Sequence, residues 1–161
     1  MAAAAQAGKA ITTRTAFRLA ISVTISIDAP AATIWALLTD LGAHATWNST
    51  LSSIQGHVAL GHRVSFEVPE APGQKFNPVV TSYDEPNAVV WRLNRWPLLV
   101  GERTYRLTPG LDGSTEFTIS EVFRGLMLPL IAKSMPDFGL MFERTAADLR
   151  AAATGTVSRP T

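Results

Sequence analysis

From Phe17 to Ile27 every second residue is apolar: Phe17, Leu19, Ile21, Val23, Ile25 and Ile27, with Arg18, Ser22, Thr24 and Ser26 between them. A period of two turns one face to a core and the other to water, so this is a half-buried strand. The pattern then changes. Asp28-Ala29-Pro30 puts proline in a helical first turn, and Ile34, Trp35, Leu37 and Leu38 follow at helical spacing. This predicts a short helix over 30–38, then a second short helix or turn over 40–48 closed by Trp47-Asn48. Beyond Asn48, alternating runs separated by Gly, Pro, Asn and Asp predict a meander of antiparallel strands over 50–55, 63–68, 75–83, 88–95, 101–107 and 115–123. From Gly125 the period becomes helical. Ile131, Met135, Phe138, Phe142, Thr145, Leu149 and Ala152 recur at intervals of three and four, one face of a long helix running to Ala153 with Gly155 as its C-cap residue. Pro136 either kinks this helix or belongs to a fresh start capped by Ser134, with Asp137 at the third position.

The expected fold class is α+β: a curved antiparallel sheet of seven strands around the last helix, whose apolar stripe has no other face to meet. Residues 15–155 are read as one domain, with an alanine-rich flexible tail at 1–14 and a second tail at 156–161. The chain has 161 residues, 47% of them hydrophobic and 17% charged, with a formal net charge of +1, the composition of a folded globular chain. Lys and Arg are scattered and balanced by Asp and Glu, which argues against nucleic acid as a partner. Cysteine is absent, so disulfides, thiolate metal sites and cysteine nucleophiles are excluded, and a reducing compartment is allowed. Apolar runs such as 125–132 are far shorter than the ~20 residues that span a bilayer, so no integral membrane segment is expected. Lys9, Arg14 and Arg18 with no acid before Asp28 have some likeness to a transit peptide, but the tail reading is preferred and the expected location is the cytoplasm.

Several local patterns occur together in one order. Ile25-Ser26-Ile27-Asp28-Ala29-Pro30 precedes Ile34-Trp35-Ala36-Leu37-Leu38-Thr39-Asp40, and Trp47-Asn48 follows the second short helix. Glu85-Pro86 leads to Val90-Trp91, and Glu121-Val122-Phe123-Arg124-Gly125 precedes the last helix. Over residues 17–153 this order resembles the START and birch-pollen-allergen-like (SRPBCC) superfamily, which includes polyketide cyclases and lipid-transfer proteins. The resemblance implies a helix-grip fold and a cavity for lipids, sterols, polyketides or hormones, with cyclisation chemistry in some members; fold alone does not choose among these.

Candidate chemistry is sparse. His44, His57 and His62 fall in loops or at strand ends without metal-ligand spacing, so they are expected to be solvent-exposed and no metal site is assigned. Hydrolase-elbow, dinucleotide and phosphate-loop motifs are absent, and no cofactor is expected. Trp35 reads as core, whereas Trp47 and Trp96 lie near loops as pocket rim or edge cover. Trp91 shares its phase with Val89 and Leu93, facing the long helix as core or as ligand wall.

A hairpin centred near Asp112 pairs Leu107 with Phe117, Tyr105 with Ile119 and Arg103 with Glu121, which puts an ion pair on the inner, apolar face. Desolvating two charges costs several kcal/mol each, so stability is a poor reason for such a pair. It either orients a polar group of a ligand or satisfies itself near a wet mouth. The expected ligand wall comprises Phe66, Phe76, Val80, Trp91 and Leu93, then Arg103, Tyr105, Ile119, Glu121 and Phe123, and from the helix Met135, Phe138 and Phe142. The expected function is binding or transport of a small hydrophobic molecule by a monomer or weak homodimer. The alternative is a cofactor-independent cyclase, aromatase or dehydratase with Glu121, Arg103 and Tyr105 as catalytic candidates. A carboxylate held by an arginine is a poor base, which favours binding. A third possibility is an interaction module with a vestigial cavity.

Overall fold

The computed structural model describes residues 8–155. In chain order the elements are β1 (Ile11–Arg14), β2 (Arg18–Ile27), α1 (Ala31–Thr39), a 3-10 turn (Leu41–Ala43), α2 (His44–Trp47), β3 (Ser52–Gly56), β4 (Val64–Glu67), β5 (Lys75–Phe76), β6 (Val79–Asp84), β7 (Ala88–Arg95), β8 (Leu99–Pro109), β9 (Thr115–Arg124), α3 (Leu128–Ile131) and α4 (Phe138–Ala153). Six strands form one antiparallel sheet in the order β1-β2-β9-β8-β7-β6, and β3-β4-β5 form a second. α4 lies across β2 and β9 and also meets α1 and α2. This is an α+β helix-grip architecture, built because the apolar phases of β2, β7, β8 and β9 all face the buried side of α4.

The partition of strands differs from the expected single sheet of seven. The run 75–83 is expected to be one strand, yet Pro78 has no N–H to give a ladder, and the chain changes sheets there: β5 pairs with β4, and β6 pairs with β7, with a register shift between Val80 and Ser82. The sheets meet at one corner, where Gly61 N–H donates to the Val80 carbonyl at 2.8 Å, Val80 N–H to His62 at 2.9 Å and Val64 N–H to Pro78 at 2.9 Å. Residues 11–14, expected to belong to a flexible tail, are an exposed edge strand pairing Ile11 with Ser22 through Arg14 with Leu19. Positions 1–7 and 156–161 of the expected tails lie outside the described residues.

The expected long helix is two. α3 ends at Ile131, and α4 starts after Pro136, capped by Asp137, whose Oδ1 accepts from Leu140 N–H at 3.0 Å. Ser134 is not the cap; its hydroxyl donates back to the Ile131 carbonyl at 2.9 Å, closing the α3 turn. At the far end of α4 Gly155 has φ of +72°, a left-handed stop that glycine adopts without strain. Gly125 has φ of +149°, and a Cβ there would collide with the Leu98 carbonyl, so the β9–α3 corner can lie directly on the β7–β8 turn.

Candidate functional site

The strand register sets up the site. One row across the sheet reads Val80, Trp91, Arg103, Glu121 and Ile21, with Tyr105 opposite Ile119 in the next row on one side and Gly101 opposite Phe123 on the other. All of these except Gly101 bring a side chain to the buried face. Arg103 and Glu121 are therefore buried, at 6% and 7% exposure, in a row that is otherwise apolar. Arg103 Nη2 and Nε both donate to Glu121 Oε2, at 2.7 and 2.9 Å. The guanidinium also lies between two rings, 5.0 Å from the centroid of Phe142 on α4 and 5.5 Å from that of Phe66 on β4. This arrangement lets a cation stay in a dry interior: one face-on ring on each side and a carboxylate in its plane.

The electrostatics follow from that packing. Burial works against the guanidinium charge, but attraction to the Glu121 carboxylate and to Tyr105 outweighs it, so Arg103 loses its proton even less readily than a free arginine. Burial pushes the Tyr105 phenol above its ordinary value, with the Arg103 charge only partly offsetting it. Tyr105 therefore remains a proton-bearing hydroxyl beside the pair at neutral pH.

Aromatic rings enclose the charges. Phe76 stacks on Phe66 at 5.6 Å, Phe66 lies 6.2 Å from Trp91, and Trp91 meets Tyr105 edge-on at 5.1 Å. On the helix side Phe138 packs on Phe123 at 5.0 Å and lies 6.1 Å from Phe142. Of the other expected wall residues, Val80 and Ile119 are buried, Leu93 is half-buried, and Met135 sits in the α3–α4 connection rather than on α4.

These side chains fill most of the space between sheet and helix. The cleft at the ion pair, lined by Phe66, Pro78, Trp91, Leu93, Gly101, Arg103 and Glu121, has a volume of about 10 Å³. That is room for a single water at most. Trp91 Nε1 is buried without a hydrogen-bond partner beside this cleft. Sequence reasoning missed two of the lining positions. Gly101 leaves space that a side chain would fill, since a Cβ there would stand 3.1 Å from the Phe123 ring. Pro78 enters because β5 and β6 part at that residue.

His44, expected to be exposed, is buried at 1%. Its Nε2 faces the Leu38 carbonyl at 3.0 Å and its Nδ1 faces the Asn48 amide nitrogen at 3.3 Å, so the ring is neutral with its proton on Nε2. Asn48 Oδ1 accepts from Thr50 N–H and hydroxyl, and the Thr50 hydroxyl meets that of Thr145 on α4 at 2.7 Å. The network ties the α2 turn to α4, which makes it a structural device. The spacing of four between His44 and Asn48 on one helical face was the available signal. His57 and His62 are exposed, with ring centroids 5.6 Å apart. Among the described residues no three His, Asp or Glu side chains converge on one point. Trp35 is core at 3% exposure, Trp47 is buried against His44, and Trp96 is exposed on the β7–β8 turn.

The architecture recurs in solved structures. A START superfamily protein from Mycobacterium smegmatis is 20% identical, with 86% of this chain and 99% of that one covered at a TM-score of 0.62. A hypothetical protein from Helicobacter pylori is 14% identical over 82% of this chain and 86% of that one, at a TM-score of 0.68. A protein from Thermus thermophilus is 16% identical over 86% and 99%, at a TM-score of 0.65. At these identities the likeness is one of fold. No curated protein sequence matches the chain. The family model described as polyketide cyclase / dehydrase and lipid transport matches residues 18–154, which takes in every strand of the large sheet but β1 and all of α4, so the chain belongs to that family.

Proposed function

We propose that the chain binds a small, largely apolar molecule carrying one polar group, held between α4 and the six-stranded sheet with Arg103 as its anchor. The observation that supports this is the Arg103–Glu121 pair itself. A buried ion pair contributes little net stability compared with apolar residues of the same volume, yet this one lies beside an indole N–H with no acceptor. A carbonyl, hydroxyl or carboxylate entering the cleft would accept from Trp91 and Arg103 while its apolar body lies among the rings of Phe66, Phe76 and Phe142.

A cleft of about 10 Å³ must open to admit such a molecule. The wall suited to move is the β4–β5 hairpin. It carries Phe66 and Phe76, pairs along β4 with β3, meets β6 through a few hydrogen bonds at its base, and at its tip reaches α4 through an exposed Arg144–Glu70 pair at 4.0 Å, a weak tether.

The test is binding of matched acidic and neutral hydrophobic molecules, chosen from whatever native mass spectrometry finds co-purified. Glu121→Gln frees part of Arg103 and is expected to improve affinity for the acidic molecule; Arg103→Met is expected to reject it. Equal binding of both molecules by wild type and both variants would show that the pair is structural.

A second reading, a cyclase or dehydratase acting in the same place, is favoured by Tyr105, whose proton-bearing hydroxyl stands beside the pair. Loss of turnover by several orders of magnitude in Tyr105→Phe or Glu121→Gln, with binding intact, would establish that reading over the carrier.

A further inference from the structure

One end of the molecule is greasy and positively charged. The β7–β8 turn lies against the β9–α3 corner, with Leu126 N–H donating to the Pro97 carbonyl at 3.1 Å and Met127 N–H to Leu98 at 3.0 Å. Phe17 joins them through its carbonyl, which accepts from Gly125 N–H at 3.2 Å. These three connections bring together exposed Trp96, Leu98, Leu126 and Leu130, at 71%, 49%, 59% and 80% exposure, with Phe17 at 55%. Such side chains scattered singly would mean nothing, but a contiguous set at one tip marks a contact surface.

The charges around it are mostly positive, with Glu102 and Asp137 standing just beyond the segments that build it. Segments 11–20, 93–101 and 122–136, which build this end, carry Arg14, Arg18, Arg95, Arg124 and Lys133 and no acid. Arg18 and Arg124 are cross-strand partners, so two cations stand side by side at the rim. A groove of about 670 Å³ adjoins the tip on the side of β5–β7 and adds Arg63, Lys75 and Arg92 to Arg95, again with no acid in its lining. Arg92 is shared with Glu102 at 3.9 Å. The opposite end of the same strands carries Asp28, Asp84, Glu85, Asp112 and Glu116. A net charge of +1 therefore conceals a molecule polarised along its strands.

We infer that this tip is a docking surface for a lipid bilayer with anionic headgroups, Trp96 and its neighbours entering the interface while the rim cations meet lipid phosphates. A tryptophan amid leucines, ringed by arginine and lysine, is the composition that sits at a membrane interface. A second copy of this chain fits worse, because pairing two such tips would bring like-charged rims together. Docking would also set the Leu93–Gly101–Phe123 row, one step from the ion pair, towards the bilayer, although it does not depend on what the interior binds.

The test is flotation with vesicles of phosphatidylcholine alone and of phosphatidylcholine mixed with phosphatidylglycerol, using the full chain. Binding is expected to the mixed vesicles and not to phosphatidylcholine alone. Each basic residue near an anionic surface is worth about fivefold in partitioning, so Arg95→Gln with Arg124→Gln should weaken it by more than ~tenfold. Raised salt should weaken it too. Trp96→Ser with Leu130→Ser should abolish it. Both changes are at exposed positions, and an unchanged unfolding midpoint verifies the fold. Trp35, Trp47 and Trp91 are already buried, so a blue shift of tryptophan emission on mixed vesicles, absent in Trp96→Ser, would report Trp96 entering the interface. The inference is overturned by no association with the mixed vesicles, by equal association with phosphatidylcholine alone, or by undiminished association of the Trp96→Ser/Leu130→Ser protein. A concentration-dependent dimer that Trp96→Ser abolishes, without vesicle association, would assign the tip to a second copy instead.

Discussion

Arg103 sits between two phenyl rings with both donors on one oxygen of Glu121, and each partner depends on the other. Removing one leaves an uncompensated charge in a dry site, so Arg103→Met should cost ~3–5 kcal/mol in chemical denaturation. The double variant Arg103→Met/Glu121→Leu should recover most of that loss; if it is no more stable than the single variant, the charges are not the reason the site is there. His44 gives a pH test. Burial holds its pKa below the ordinary value against the opposing pull of the Leu38 carbonyl and Asp40. The unfolded chain therefore takes up a proton near pH 6.5 that the folded chain refuses. Its contribution to stability is complete above that pH and is lost as pH falls below it, with a slope of up to ~1.4 kcal/mol per pH unit. Unfolding midpoints measured from pH 7.5 down to 5 should show this slope, and His44→Gln should flatten it. The register that joins Arg103 to Glu121 was legible in the sequence because a short hairpin centred near Asp112 fixes it and pairs Leu107 with Phe117 and Tyr105 with Ile119 on the same face. The burial of His44 was not, since it depends on α4 covering a four-residue helix from more than ninety positions away.

At the scale of elements, α4 carries the core. Phe142, Ala146 and Leu149 are fully buried and Met141 nearly so. Ending the chain before Ser134 removes them together, and each large apolar side chain is worth ~1.5–3 kcal/mol against a typical total of ~5–15 kcal/mol. Soluble, cooperatively unfolding protein should not be obtained, as thermal melts would show. The start of α4 is open to a finer test: Asp137→Ala removes the cap and should cost ~1 kcal/mol, whereas Ser134→Ala should cost less than half of that. Sequence periodicity left a kink and a fresh start at Pro136 both open, because Ile131, Met135 and Phe138 keep helical spacing across it; the structure takes the fresh start, with Asp137 rather than Ser134 as its cap. Periodicity missed the sheet break, running one strand through Pro78, a residue that cannot pair.

For the whole molecule, the packed interior and the weakly tethered β4–β5 hairpin make one expectation. Binding of a small apolar molecule should change amide exchange most in residues 64–76, and least in β8 and β9, whose ladder runs over ten paired positions from Val100–Arg124 to Pro109–Thr115. Uniform protection would mean that the molecule enters without moving the hairpin. The charge polarity of the two ends belongs to this scale as well, since no stretch of the chain is strongly basic and the cations gather when three distant segments meet.

The sequence by itself determined the order of the main elements from Arg18 to Ala153, the inner and outer faces of the long strands and the Arg103–Glu121 pairing. These follow from periods of two and three to four residues and from a hairpin whose ends lie close along the chain. Tertiary structure alone decided how tightly helix and sheet close, which leaves about 10 Å³ beside the pair, and which distant groups cover His44 and gather at the Trp96 tip. Those outcomes depend on how far side chains from separate segments interpenetrate, a distance that no local pattern encodes.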